Sequence, residues 1–465
     1  MKKFPILISL LLLFTVAEAY LPAEIGRMIK KQKIPLSTLS IKITETEGGR
    51  ELASYREYES RSPASVIKLM TTYSALLELG ADFRWPTSLF YSGSYKSGVI
   101  DGDLIVKAFG DPTLSCRDIP EIVKRLKSLG IARITGDIVI DRTFFAAGSK
   151  IVSGFDKNTH SEYNAMPDAL MFDDHLCRMT IIPKNNEVLI EKALPDMSYR
   201  IINRLRSTNR SCRGRYSWPK VKFYRENGEP YIEFSGYLSK HCSPKRVAWV
   251  IGHPYKSFYY ALRDELSREG IELNGGLRLG TLPEDANALT THFSRPLIDI
   301  VSKTNKMSNN LYARHIFLLL GTRLYGVPGT EEKGRKAVKR ILGKRGILDD
   351  KTLLDNGCGL SRKTRTTAES VYRLLQDAYR NMGREWMNTL AIAGKDGTIR
   401  KRFRNTIVRG RAWMKTGTLK DAKNIAGYVK GRSGKLYTVV IFYNGKARWK
   451  ASALQNSIIK WLVRK

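Results

Sequence analysis

Ser65 and Lys68 lie three residues apart in the stretch SPASVIKLMTTYSAL, a spacing that places both side chains on one face of a helix. A serine hydroxyl is a weak nucleophile at neutral pH unless a base removes its proton. A lysine can be that base when burial lowers its pKa. Pro63 suits the first helical turn and Ser62 suits the capping position before it, so the sequence predicts a helix that begins here. The pair suggests nucleophilic attack on a carbonyl group.

The spacing alone is not specific, because it occurs twice more in the chain. The stretch SWPK at 217–220 contains a proline that a helix interior excludes. The stretch SIIK at 457–460 lies in the apolar run 451–463, which we predict to be an amphipathic closing helix. The alternative for Ser65 and Lys68 is an ordinary surface helix with a solvated lysine. Other motifs in the chain are needed to distinguish a catalytic pair from this alternative.

Two further patterns bring groups that complement Ser65 and Lys68. Ser-Asn-Asn at 308–310 lies early in a helical pattern, and Lys-Thr-Gly-Thr at 415–418 precedes a predicted strand at 424–430. In acyl transfer without a histidine, Ser65 would attack and Lys68 would take its proton. Ser308 would pass a proton to the departing amine, Asn310 would hold a substrate amide, and Lys415 would supply positive charge.

Thr416 and Thr418 are two residues apart on a strand and therefore point the same way, which suits them to bind a carboxylate. The backbone N–H groups of Ser65 and Thr418 would form the oxyanion hole. Together the three patterns predict a complete acyl-transfer site.

The first 19 residues read as a cleaved secretory signal, with two lysines, an apolar run and Ala-Glu-Ala before Tyr20. An uncleaved anchor is the alternative, but no later segment approaches the roughly 20 apolar residues of a membrane span. We therefore expect an exported protein of the periplasm or cell surface, with no transmembrane anchor after cleavage.

The formal net charge of +35 implies attraction to a polyanion, which can be nucleic acid, acidic lipid or an acidic cell-wall polymer. Export disfavours nucleic acid among the three. The densest basic run is Arg400–Arg404, for which a solvated face is favoured over a specific binding patch.

Five cysteines in an oxidising compartment leave at least one without an intramolecular partner. Cys212 and Cys242 flank a polar, strand-like region and are the favoured pair, whereas Cys116, Cys177 and Cys358 cannot be assigned. No Cys-x-x-Cys or His-Glu-x-x-His occurs, so neither a metal site nor a cofactor is expected.

Hydrophobic periodicity outlines an α+β protein in which helices cover a central antiparallel sheet. Two strands are predicted within 37–57, helices over 296–321, 332–344 and 368–384, and a final hairpin over 424–443 whose second strand, at 436–443, is apolar enough to be covered on both faces. A strand-rich block lies between the two ends. The expected division is a signal at 1–19, a discontinuous catalytic domain at 20–86 and 289–465, and an insert at 87–288 that forms two β-rich domains.

The motifs in this order resemble the D-alanyl-D-alanine carboxypeptidases of the low-molecular-mass, class C penicillin-binding type. The stretches PASVIKLMTTYSALLELGADFRW, DGDLIVKAFGDPTLS, ITGDIVIDRTFF and AGKDGTIRKR also match that family. Such enzymes carry a large insert between the first two motifs, and here 243 positions separate Ser65 from Ser308.

The resemblance implies a penicillin-binding, serine β-lactamase-like transpeptidase domain with β-rich inserted domains. It further implies release of D-alanine from peptidoglycan stem peptides through a Ser65 acyl-enzyme, in the service of cell-wall remodelling, and acylation by penicillins and other β-lactams. Many members also cut the cross-link as endopeptidases, so that activity is a second expectation.

One local feature departs from the family pattern, and the role of another is left open. The family's Gly-Ser-Gly-Leu-Ser appears here as GCGLS at 357–361, which puts Cys358 near the expected site. A buried, inert cysteine is favoured over an exposed, oxidant-sensitive one. Asp173 and Asp174 either attract the ammonium group of a stem-peptide diamino acid or are turn carboxylates.

Three other functions compete with this interpretation. A compact β-lactamase-like hydrolase is disfavoured by the insert and by the lack of a clear deacylating glutamate motif. A catalytically weak wall-binding protein is disfavoured by the intact motifs. A nucleic-acid binder is suggested by charge alone and is disfavoured by export.

We predict that Ser65→Ala and Lys68→Ala abolish acylation by penicillin, whereas Ser457→Ala leaves it intact. Mass spectrometry of the peptides from protein incubated with a labelled penicillin measures this directly, with the adduct expected at Ser65. An adduct that persists in the Ser65→Ala variant would exclude Ser65 as the nucleophile.

Overall fold

The computed structural model describes residues 20–146 and 150–465, so the predicted signal at 1–19 lies outside the described residues. The α-helices of the described parts are α1 (Ala23–Lys31), α2 (Lys68–Leu79), α3 (Ile119–Ser128), α4 (Pro254–Arg268), α5 (Leu297–Met307), α6 (Asn310–Tyr325), α7 (Glu331–Gly343), α8 (Ala368–Asn388) and α9 (Arg448–Arg464). Within these ranges, none of the helices has the length and apolar character that crossing a membrane requires.

The strands alternate with these helices along the chain. They are β1 (Leu39–Glu45), β2 (Glu51–Tyr55), β3 (Pro86–Tyr91), β4 (Ser94–Lys96), β5 (Val99–Asp101), β6 (Leu104–Ala108), β7 (Arg133–Ile134), β8 (Ile138–Asp141), β9 (Cys177–Pro183), β10 (Val188–Lys192), β11 (Arg200–Thr208), β12 (Lys220–Glu226), β13 (Glu229–Ser239), β14 (Lys245–Trp249), β15 (Glu272–Leu273), β16 (Leu277–Leu279), β17 (Asn287–Phe293), β18 (Ala391–Ile392), β19 (Ala412–Leu419), β20 (Ala422–Lys430) and β21 (Leu436–Tyr443).

The central sheet is antiparallel and has the strand order β18-β19-β20-β21-β1-β2. It joins the two ends of the chain, because β1 pairs with β21 in the register Leu39↔Tyr443. All but the first residue of β21 are buried, as its apolar sequence predicts.

Helices cover both faces of this sheet. Alternate residues of β21 point to opposite sides, so that Val439 and Ile441 pack in the core that includes α1 and α9. Val440 and Phe442 pack in the core that includes α2, α6 and α8. This arrangement confirms the predicted fold class.

The insert has two apolar cores. The segment that forms the inner core, residues 177–251, lies in the sequence between the parts that form the outer core, and we call it the nested insert. The outer core lies between the sheet β16-β8-β6-β3-β17, the sheet β15-β7-β5-β4 and the helices α3 and α4, and it is centred on residues such as Leu89 and Phe258. The inner core lies between the sheets β10-β9-β14 and β11-β13-β12 and includes Ile181 and Phe234. The last strand of the insert runs to Phe293, past the expected boundary at 288.

The disulfide between Cys212 and Cys242 is formed, as the sequence favours. Both residues lie in the nested part of the insert, where they close a loop around β12 and β13. The other three cysteines are free, and Cys177 and Cys358 are buried.

Three local predictions were wrong or incomplete. The helical pattern over 296–321 is two helices, because Ser308 adopts a left-handed conformation (φ 60°, ψ 35°) that ends α5. Ser62 caps no helix, since a 3₁₀ turn over Ala64–Ile67 precedes α2 and the Ser62 N–H donates to Asn444 Oδ1 instead. The helices α1, α3 and α4 were not predicted.

Candidate active site

Ser65 lies on the 3₁₀ turn that leads into α2, next to the strand β19. The central sheet holds this turn in place, because the side-chain amides of Asn424 and Asn444 both donate to the Ser62 carbonyl, at 2.8 and 3.1 Å. Neither asparagine was predicted from the sequence to contact the site. Their contacts show that the ends of β20 and β21 fix the segment just before the serine.

Gly417 allows β19 to approach this turn closely. A Cβ atom at position 417 would lie 2.4 Å from the Pro63 carbonyl oxygen and 3.1 Å from the Ser65 backbone nitrogen. No residue larger than glycine fits that gap without a shift of the backbone. The glycine of the Lys-Thr-Gly stretch therefore sets the distance between Ser65 and the strand that carries Lys415 and Thr418.

Lys68 is fully buried beneath Ser65, and its Nζ donates to Ser65 Oγ at 3.0 Å. The same Nζ donates to Asn310 Oδ1 at 2.7 Å and to the backbone carbonyl of Cys358. The pKa of Lys68 is lowered to about 8, chiefly by burial; the Cys358 thiol opposes this shift and the nearby Arg314 adds to it. A substantial fraction of Lys68 is therefore neutral close to physiological pH.

Ser308 reaches the site from the break between α5 and α6. Its Oγ accepts a hydrogen bond from Lys415 Nζ at 2.9 Å, and Lys415 also donates to the carbonyl of Thr416. Asn309 caps α6 by accepting from the Tyr312 N–H, which fixes the start of that helix. Lys415 is fully buried, and burial together with the charge of Lys68 lowers its pKa well below the usual value.

The site holds buried cations without carboxylate partners. In the described parts of the chain, neither Lys68 nor Lys415 lies within ion-pair distance of an Asp or Glu. Arg314 is likewise buried, and its guanidinium donates to the sulfur atoms of Cys358 and Met166. Desolvation without compensation is what disfavours the charged form of the two lysines.

Asn310 holds the insert and Lys68 together. It accepts from Lys68 through Oδ1, and its Nδ2 donates to the backbone carbonyl of Tyr163 at 2.9 Å. If Asn310 binds a substrate amide as predicted, its Nδ2 group has to donate both to the substrate and to the Tyr163 carbonyl of the insert.

Thr416 and Thr418 line the free edge of β19, because β18 pairs with only two of its residues, Trp413 and Met414. This edge borders a cavity of about 470 Å³. Its lining residues are Ser65, Ser308, Thr398, Ile399, Arg402, Thr416, Thr418, Lys423, Ser452 and Asn456.

The sequence analysis did not find the basic residues of this cavity. Lys423 donates to Thr418 Oγ1 at 3.1 Å, and Thr398 and Thr416 share a hydrogen bond of 2.8 Å. Arg402 lies in the basic run that was expected to be a solvated face, but its side chain turns inward, and burial lowers its pKa to about 10. Arg402 nevertheless stays charged at neutral pH.

The remaining candidates lie apart from this cavity. Asp173 and Asp174 form a turn beside a larger cavity of about 860 Å³, which shares no lining residue with the first. There Asp174 accepts from Tyr312 at 2.8 Å and pairs with Arg178, which favours the turn-carboxylate alternative. Ser457 points back along α9 to the carbonyl of Ala453.

The burial of Cys358 bears on the two alternatives left open for that residue. Cys358 is fully buried, which favours the inert alternative. Among residues 20–146 and 150–465, no group of three or more His, Cys, Asp and Glu side chains is arranged to hold a metal ion.

Comparison with known proteins gives a consistent family assignment. The model of the D-Ala-D-Ala carboxypeptidase 3 (S13) family matches residues 21–465. The chain is 27% identical over 405 residues to the D-alanyl-D-alanine carboxypeptidase DacB of Haemophilus influenzae, covering 85% of this chain and 82% of the relative. It is 27% identical over 456 residues to the D-alanyl-D-alanine carboxypeptidase of Actinomadura sp. strain R39, covering 94% and 83%.

Solved structures agree at the level of the fold. The crystal structure of penicillin-binding protein 4 from Haemophilus influenzae superposes with a TM-score of 0.81 at 25% identity, covering 95% of this chain and 99% of that one. A predatory peptidoglycan endopeptidase from Bdellovibrio bacteriovorus superposes with a TM-score of 0.53 at 17% identity, covering 91% and 92%. The second likeness concerns the fold alone.

We predict that Gly417→Ala slows acylation by penicillin at least tenfold without unfolding the protein, because the added methyl group pushes the Ser65 turn away from β19. The second-order rate of labelling with a fluorescent penicillin measures the effect, and circular dichroism checks the fold. Gly343→Ala is the matched control, since a Cβ there meets no atom within 4 Å. Equal rates for the two variants would contradict the role assigned to Gly417.

Proposed function

The chain belongs to the D-Ala-D-Ala carboxypeptidase 3 (S13) family and is a serine-type D-Ala-D-Ala carboxypeptidase, and we propose that it acts on peptidoglycan stem peptides through an acyl-enzyme on Ser65. The observation that carries the assignment of Ser65 is its hydrogen bond of 3.0 Å with the buried Lys68, whose pKa is lowered to about 8. A neutral amine in this position is the base that the hydroxyl needs.

In the proposed acylation step, Ser65 Oγ attacks the carbonyl carbon of the penultimate D-alanine while its proton passes to neutral Lys68. The developing oxyanion is held by the backbone N–H groups of Ser65 and Thr418. The close approach of β19 to the Ser65 turn at Gly417 supports this pairing of donors. The product of attack is a tetrahedral intermediate bonded to Ser65.

Collapse of the intermediate breaks the C–N bond, and the departing D-alanine amine needs a proton. Ser308 is proposed to deliver it, since its hydroxyl lies in the cavity and contacts Lys415 Nζ. Ser308 is then reprotonated by the proton that Lys68 took from Ser65, which returns Lys68 to its neutral form. Hydrogen bonds join Lys68 to Ser65 and Lys415 to Ser308 in two separate pairs. Water then hydrolyses the Ser65 ester and restores the free hydroxyl.

The carboxylate of the terminal D-alanine is proposed to bind at the edge of β19. Thr416 and Thr418 offer hydroxyl groups there, and Lys423 and Arg402 add positive charge beside them. These four residues would fix the register of the substrate so that the penultimate carbonyl faces Ser65. Asn310 is proposed to position the substrate from the opposite side through its amide.

Endopeptidase action would use the same acylation step, because the cross-link is also an amide of D-alanine and differs in the amine that leaves. β-Lactams are proposed to acylate Ser65 in the same way, through their cyclic amide. A structure of the Haemophilus influenzae penicillin-binding protein 4 contains a bound β-lactam, which supports this for the family. Export to the periplasm or cell surface, signal cleavage and attraction to an acidic wall polymer stay predictions.

We predict that acylation by penicillin accelerates with pH up to about 8 and is then constant. Lys68 must be neutral to accept the proton, and below its pKa the neutral fraction falls about tenfold for each pH unit. Labelling rates measured from pH 6 to 9.5 test this, with circular dichroism at each pH as a check on folding. A rate that does not change over this range would contradict a base with the lowered pKa of Lys68.

We predict that the protein releases free D-alanine from a pentapeptide stem, and that Ser65→Ala does not. Chromatography with mass detection follows the loss of one alanine, and a cross-linked dimer in a parallel reaction reports endopeptidase cleavage as two monomers. Protein that is acylated by penicillin yet leaves the pentapeptide unchanged would contradict the stem-peptide substrate. An intact dimer alongside a shortened pentapeptide would restrict the activity to carboxypeptidase.

A further inference from the structure

The sheet β11-β13-β12 of the nested insert has one face in the core and one face in solvent. On its central strand, Ile232, Phe234 and Leu238 are buried in the inner core. The alternate residues of β13 therefore point outward, among them Tyr231 and Tyr237. Strand register then identifies which residues of β11 and β12 share this outward face.

The outward residues are mostly basic or aromatic. On β11, Arg204 and Arg206 are paired with outward-facing residues of β13. On β12, at the other edge of the sheet, Lys220 and Lys222 are paired with outward-facing residues of β13 in the same way. The basic–aromatic face, as we call it, consists of Arg200, Ile202, Arg204, Arg206, Lys220, Lys222, Tyr224, Glu226, Glu229, Tyr231, Glu233, Ser235 and Tyr237.

The charge of this region is strongly one-sided. Residues 200–249 contain twelve Lys and Arg but three Glu, in a chain whose net charge is +35. On the face itself, Glu233 lies 3.9 Å from Arg204, and Arg204 remains 69% exposed. Glu226 and Glu229 share this face at its end, and Arg200 lies 3.4 Å from Glu229. Three carboxylates among five basic side chains leave a net positive surface that attracts an acidic polymer.

Aromatic rings are exposed between these charges. Tyr224 and Tyr231 stack with their ring centroids 5.2 Å apart and their planes at 10°, and Lys222 lies over Tyr224. Tyr237 is 47% exposed. Exposed rings in a polar surface mark a site of interaction and offer flat platforms for sugar rings.

We propose that the basic–aromatic face binds peptidoglycan strands, through the carboxylates of their stem peptides and the faces of their sugar rings, and holds the enzyme on the polymer whose stem peptides Ser65 cleaves. The inference rests on the proposed function for its choice of polymer. Arginine suits the carboxylates along such a strand because its planar group binds them in a bidentate manner. The face has a single aliphatic side chain, Ile202, so it lacks the apolar surface that insertion into a lipid bilayer requires.

The experiment is co-sedimentation with insoluble peptidoglycan sacculi, using protein already acylated by penicillin so that the active site is blocked. The face variant replaces four exposed basic residues with glutamine, namely Arg204, Arg206, Lys220 and Lys222. The matched control removes the same charge from the exposed side of α7, at Lys336, Lys339, Arg340 and Lys344. An aromatic variant, Tyr237→Ser, keeps the charge.

We expect the face variant to lose at least tenfold in apparent affinity for sacculi and the aromatic variant about threefold or more, with the control within twofold of the original protein. Binding should weaken as salt is raised, because exposed charges are screened. All variants should still be acylated by penicillin at the original rate. This separates loss of peptidoglycan binding from any failure of the Ser65 site.

Three results would overturn the proposal. Equal losses in the face variant and the α7 control would show attraction through net charge alone. If the protein binds vesicles of anionic lipid or double-stranded DNA more tightly than it binds sacculi, the surface is a site for membranes or for nucleic acid instead. Failure of the original protein to sediment with sacculi at low salt would exclude the surface as a peptidoglycan site.

Discussion

The burial of Lys68 and Lys415 without a carboxylate partner is the constraint on which the site depends. A buried ammonium group is costly unless it is paired, so the protein favours the neutral amine and supplies neutral oxygen acceptors instead. The Cys358 carbonyl and Asn310 do this for Lys68, and Ser308 and the Thr416 carbonyl do it for Lys415. An acid placed beside either lysine would raise its pKa and keep the amine protonated at neutral pH, where it could not accept a proton.

The central sheet supplies the rigidity that such an arrangement needs. The strand β19 is hydrogen-bonded along its whole length to β20, which in turn pairs with the fully covered β21. The turn that carries Ser65 is tied to Asn424 and Asn444 at the ends of these strands. The serine is therefore positioned by backbone and amide contacts, while the insert reaches the site through the contact of Tyr163 with Asn310.

Much of the fold was predictable, because its core elements have strong periodicity. The apolar strand β21 and the helices α7, α8 and α9 follow their sequence patterns closely. The α3 pattern of Ile119, Ile122, Val123 and Leu126 was also readable, but a block of short strands around it hid the signal. The break at Ser308 was not predictable, since the left-handed conformation is imposed by packing in three dimensions. Arg402 and Lys423 were missed because only the tertiary fold brings them to the cavity that Thr416 and Thr418 line.

The pairing of β1 with β21 has a consequence for the order of events during synthesis. Leu39 and Tyr443 are 404 positions apart in the sequence, so a nascent chain cannot form the middle of its main sheet until the residues of β21 have been synthesised. The nested insert, by contrast, is complete much earlier and has a core of its own, so it can fold first. Ser65 is synthesised early but acquires Lys415 and the strand edge last, which keeps the hydrolase inert while it is being made.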